Sequence, residues 1–149
     1  MMSRVLPPEG ACTESFTVER DGRRVPLVGM ARRDGFGRLA VQLVYSDHEG
    51  LDALRPHAHD FGYGRGKPAT KAELQRFARN PEYAWSFLSM PMHDGAVRAK
   101  MRNDEVVVHS RNCSEELAAM LRGGLAVDTR RRCSQGYYED LPIVRVKLA

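Results

Sequence analysis

The stretch SFTVERDGRRVPLVGMARRDGFGRLAVQLVYS, residues 15 to 46, constrains the fold most, because its apolar side chains alternate and two Asp-Gly pairs interrupt the alternation. A period of two places one set of side chains on a core and the other toward solvent, as a half-buried strand requires. Asp21-Gly22 and Asp34-Gly35 are the dipeptide that favours tight hairpin turns. The pattern predicts an N-terminal antiparallel β-meander with strands at 15–20, 23–32 and 38–45. Pro7, Pro8 and Gly10 oppose regular structure before it, so residues 1–11 are expected to form an irregular arm.

Breakers dominate the segment that follows, and only a short helical turn is expected there, at Glu49 to Leu54. Thr70 and Glu73 then match a capping box, in which each side chain satisfies the other's exposed backbone donor. A helix is predicted from Thr70 to about Arg79. Asn80 as N-cap and Pro81 at the first helical position predict a second helix through Ser89. Leu74, Phe77 and Ala78, then Ala84, Trp85 and Leu88, give this central helix pair an apolar face. Further on, VRAKMRNDEVVVHS suggests a hairpin about Asn103-Asp104. SEELAAMLRGG suggests a short helix capped by Ser114 and ended by Gly123-Gly124, and residues 126–148 a final strand pair. The expectation is one α+β domain over residues 1–149: meander, central helix pair, and C-terminal β-hairpins with one short helix.

Composition fits a folded domain. Of 149 residues, 42% are hydrophobic and 28% charged, so the chain can bury a core without disulfides or metal. Its longest apolar runs are too short to cross a bilayer, and MMSRVLPPEG has no apolar stretch behind its arginine, so a cytoplasmic protein without a membrane partner is expected. Cys12, Cys113 and Cys133 are odd in number and form no CxxC pair, which argues against a disulfide framework or a zinc ribbon.

The net charge of +4 is unevenly distributed: Arg32, Arg33 and Arg38 cluster, as do Arg98, Lys100 and Arg102, and Arg130 to Arg132. Clustered cations are the footprint of a polyanion partner. In RRDGFGR, residues 32 to 38, a hairpin tip would set Phe36 among Arg32, Arg33 and Arg38, so the ring can stack on a base while the cations hold phosphates. RRRCSQGYY, residues 130 to 138, repeats that chemistry; if the strand is extended, Arg130 and Arg132 share one face and Arg131 points to the other.

HAHDFGYGRGKPATK, residues 57 to 71, is not a P-loop, since Phe61 stands where a glycine is needed and Pro68 where a hydroxyl is needed. Arg65 and Lys67 before a helix start remain a candidate anion site. His57 and His59 are donor types that bind zinc, but no spacing fixes their geometry, and no metal or cofactor is expected. His57, His59 and His109 are the candidate acid/base groups for catalysis, His109 lying close in sequence to Arg111 and Cys113. The leading expectation is a small basic domain that binds nucleic acid or a nucleoprotein complex as a regulator or inhibitor. Two alternatives are a histidine-dependent enzyme on a phosphate-containing substrate, such as an RNase or nucleotide-processing toxin, and a protein-interaction module using the 70–89 helices. Sequence leaves the oligomeric state open.

Overall fold

The computed structural model describes residues 5–20, 22–46, 84–148 and the single position 72. The fold is mixed and mostly strand: two antiparallel sheets of four strands each, with two helices among the described residues. In the first sheet β1 (Phe16–Arg20), β2 (Arg23–Arg33), β3 (Leu39–Tyr45) and β4 (Ala84–Phe87) lie in that order. The second sheet contains β5 (Ser89–Met90), β6 (Glu105–Val108), β7 (Ala126–Gln135) and β8 (Tyr138–Val146), ordered β5-β6-β8-β7. Helix α1 (Gly95–Lys100) lies between β5 and β6, and helix α2 (Ser114–Arg122) between β6 and β7.

The alternation in residues 16–45 falls on β1 to β3, whose inner faces supply Phe16, Val18, Val25, Leu27, Val41 and Leu43 to the core. Val106, Val108, Val144 and Val146 of the second sheet, with Leu117 and Met120 of α2, complete the same cluster. Leu88 joins the sheets, because its N–H donates to the Val41 carbonyl while its own carbonyl accepts from His109 N. Strands β4 and β5 are therefore two parts of one extended run that changes sheets at a fully buried leucine, a common way to turn a sheet corner.

Three expectations are corrected. Residues 84–90 are strand where the helix was predicted to run through Ser89: the spacing of Ala84, Trp85 and Leu88 suits either period, and backbone pairing with β3 and β6 decides the matter. The hairpin about Asn103-Asp104 is replaced by α1 followed by β6, because Asp94 Oδ1 accepts from Ala96 N at 2.9 Å and starts a helix at Gly95. The arm has no helix or strand at residues 5–11, as expected, and its end is tied to β2: Gly10 N and Ala31 N donate to Ala31 O and Ala11 O, seating a buried Ala11 there. The N-cap of α2 is Cys113 rather than Ser114. The turn at Glu49–Leu54 falls outside the described residues, as does the helix from Thr70 to Arg79 apart from Ala72, which is helical. No described helix is long and apolar enough to cross a membrane.

The second sheet has two covered faces. Val106, Val108, Val144 and Val146 point into the main core, so their neighbours Val107, Leu141 and Ile143 must point the other way, where they form a second small cluster with Met92. Val97 and Met101 pack onto that cluster, so α1 and the residue after it act as a lid on the outer face.

Candidate nucleic-acid interface

The loop from β2 to β3 is closed by its own side chain. Asp34 Oδ1 accepts from Phe36 N (2.8 Å) and Arg38 N (3.0 Å), and Gly37 takes φ 73°, a conformation costly for other residues. The tip therefore presents Phe36, which is 43% exposed. Its neighbours are not the arginines that flank it in sequence. Arg98 of α1 lies over the ring with Cζ 3.9 Å from the centroid, and the His93 ring meets it edge-on at 5.5 Å and 82°. Arg98 is fixed there by donating to the Met92 and His93 carbonyls at 2.6 and 2.9 Å. One face of Phe36 is thus backed by a guanidinium, an arrangement that cation–π attraction favours.

The three arginines around Phe36 in sequence have structural partners. Arg32 pairs with Glu9 at 3.7 Å, and Arg33 donates to the Arg32 and Pro7 carbonyls, tying down the arm. Arg38 donates to the Met101 and Arg102 carbonyls at 3.1 and 2.9 Å, where the end of α1 leaves acceptors unpaired. These contacts hold the Phe36 turn to the arm on one side and to α1 on the other.

Arg130 to Arg132 lie within β7, but not on a regularly extended part of it. Asp128 faces Val144 and Arg132 faces Pro142, so β7 carries extra residues between these pairs and bulges. Arg130 sits at the bulge with φ 65° and an exposed side chain, its N–H bonded to Asp128 Oδ1 at 2.7 Å. Arg132 grips both oxygens of Asp128 at 2.9 Å. The Arg132 side chain foremost, and then the Arg130 N–H, hold the Asp128 carboxyl below its ordinary pKa, and the same bond raises that of Arg132. Arg130 and Arg132 therefore do not form the expected flat pair. Arg131 instead bonds to Glu105, a carboxylate only 4% exposed.

The strand pair β7–β8 ends beside the aromatic tip: Gln135 accepts from His93 N at 2.6 Å and donates to the Pro91 carbonyl at 2.8 Å. Its turn presents Tyr137, 97% exposed. Tyr138 meets the His109 ring at 4.8 Å and 67°, with the Arg111 guanidinium 5.7 Å from its centroid. Phe36 and His93 form one aromatic pair and Tyr138 and His109 another, and the Gln135 bonds to residues 91 and 93 tie the β7–β8 turn to the first. Arg98 and Arg111 accompany them.

Among the described residues the buried His109 Nδ1 has no hydrogen-bond partner, and the His109 ring meets that of Tyr138. Cys113 is fully buried with its thiol directed at the Phe87 carbonyl, 3.4 Å away, which suits a packed residue. Burial raises the pKa of Cys133 and lowers its thiolate fraction. His57, His59, Arg65 and Lys67 lie outside the described residues. Among the described residues no group of three His, Cys, Asp or Glu is placed to hold a metal. Arg98 stands in a basic cluster of the sequence and His93 in the PMHDG turn, but nothing local brings either to Phe36; the one local signal is the Asp94 cap that orients α1. No family model, curated protein or solved structure matches this chain.

Proposed function

We propose that this protein binds nucleic acid through the Phe36 turn and the β7–β8 turn that presents Tyr137, in a regulatory or inhibitory role. The observation that carries the reading is Phe36 itself: a large apolar ring held half-exposed on a rigid turn, backed on one face by Arg98. Such a ring offers its remaining face to an unpaired base, and the cations beside it attract phosphates. The exposed Tyr137 adds a second ring. Sequence clusters of arginine lend less support than expected, because Arg32, Arg33, Arg38 and Arg132 have structural partners.

The test is fluorescence anisotropy with a single-stranded oligonucleotide and its duplex, titrated with salt. Phe36→Ala should cost about 1–3 kcal/mol on the single strand and much less on the duplex. Affinity should fall steeply with salt. Equal single-strand affinities for Phe36→Ala and the parent protein would sink the reading.

A further inference from the structure

We propose that the cleft on the outer face of the second sheet, beyond the end of α1, is a binding site for phosphate groups, as a phosphate monoester or a polyphosphate. The cleft is open to solvent and measures about 880 Å³, within the usual size range of small-molecule sites. Its floor follows from strand register. Glu105 faces Arg145 across β6 and β8, and Arg145 faces Val127 across β8 and β7, so these side chains share the face that α1 covers nearer Val107 and Ile143. Where that cover ends, the face changes from apolar to cationic.

The bulge in β7 brings Arg131 over this floor. Glu105 Oε1 accepts both from Arg131 and from Arg102 N at 2.8 Å, and Arg131 Nη1 donates to the Lys100 carbonyl at 3.2 Å. The guanidinium is fixed between a buried carboxylate and the end of α1, using two of its five N–H donors. Lys100, Arg102 and Arg145 line the cleft beside it. Among the described residues, four cationic side chains therefore line a cleft whose single acidic residue, Glu105, is already bonded. A bridge that served the fold alone would need only Arg131. Lys100, Arg102 and Arg145 bring three further positive charges to the same cleft, and a multiply charged oxyanion would offset them while matching the arginine forks.

Phosphate here has two sources, a nucleic-acid strand or a free nucleotide, and the experiment separates them. Sodium tripolyphosphate should bind by calorimetry at low salt and weaken as salt is added. Lys100→Gln with Arg102→Gln, both exposed positions, should weaken it about tenfold or more, and Arg145→Gln should act in the same direction. Arg122→Gln, on α2 and outside the cleft, should leave it unchanged. No tripolyphosphate binding, or equal binding by the cleft variants, overturns the proposal. Competition then names the source with the site retained: displacement only by a 5′-phosphorylated oligonucleotide indicates a strand end, and displacement by its 5′-hydroxyl form as well indicates the backbone. Displacement by a nucleoside triphosphate but neither oligonucleotide indicates a free nucleotide. Tripolyphosphate has no base to stack on Phe36, so this titration succeeds or fails independently of the nucleic-acid reading.

Discussion

The arginine-rich turn at 32–38 and the arginine-rich strand at 130–132 look alike in sequence but are built for different ends. In the first, all three arginines reach inward to a carboxylate or to backbone carbonyls, leaving an aromatic ring as the outward group. In the second, a bulge separates three consecutive arginines: Arg132 holds Asp128, Arg131 reaches buried Glu105, and Arg130 projects. A cluster of cations in sequence is therefore no measure of a cationic surface. What decides is how many acceptors lie within reach, because a charged donor near the end of a helix or a buried carboxylate gains more there than in water.

The largest expected effect tests the second region. Glu105→Ala removes the shared acceptor of Arg131 and Arg102 N, and should cost about 1–3 kcal/mol of stability in urea unfolding, since it strands partly buried donors. Loss of tripolyphosphate affinity should accompany it as Arg131 becomes unfixed. Unchanged stability would mean that Arg131 finds another partner and that the bulge is held by Asp128 alone.

The first region should respond more mildly. Arg38→Ala deletes two bonds to the end of α1 and should cost about 1 kcal/mol. It should also weaken single-strand binding, because the Phe36 turn loses its tie to the helix carrying Arg98. A binding defect with unchanged unfolding would reassign Arg38 to direct phosphate contact, and the contrast between the two regions would narrow.

These differences also mark what was legible in the sequence. The α+β mixture could be read, because alternation with Asp-Gly punctuation falls on β1 to β3 and the SEELAAMLR periodicity on α2. Helix α1 could not: six residues are too few to show a period, and its evidence is one capping aspartate. Strand β4 was misread because four residues carry no decisive pattern and pairing with β3 overrides local preference. Phe36 could be nominated from a turn signal, but Arg98 and His93 reach it only through tertiary packing. Glu105 gave no signal, being one acid at the head of a valine run. Its role depends on a bulge in β7 that brings Arg131 to it from 26 residues away in sequence, which no local pattern encodes.

The smallest expected effect concerns Asp128 and Arg132, the exposed counterpart of Glu105 and Arg131. The Arg132 side chain and the Arg130 N–H hold the Asp128 carboxyl below its ordinary pKa in the folded protein. A carboxyl lowered on folding stabilises above its unfolded value and loses that contribution as pH falls toward its folded value. The pair should thus contribute fully at pH 7 and fade below about pH 4. Being exposed, it should contribute no more than about 1 kcal/mol. Asp128→Asn keeps an oxygen for Arg130 N but removes the charge and turns one of the two acceptors of Arg132 into a donor, so parent and variant should differ slightly at pH 7 and converge in acid. A difference that persists unchanged to low pH would show that the bulge depends on the shape of the Asp128 turn rather than on its charge, and the two arginine pairs of β7 would then differ in kind as well as in burial.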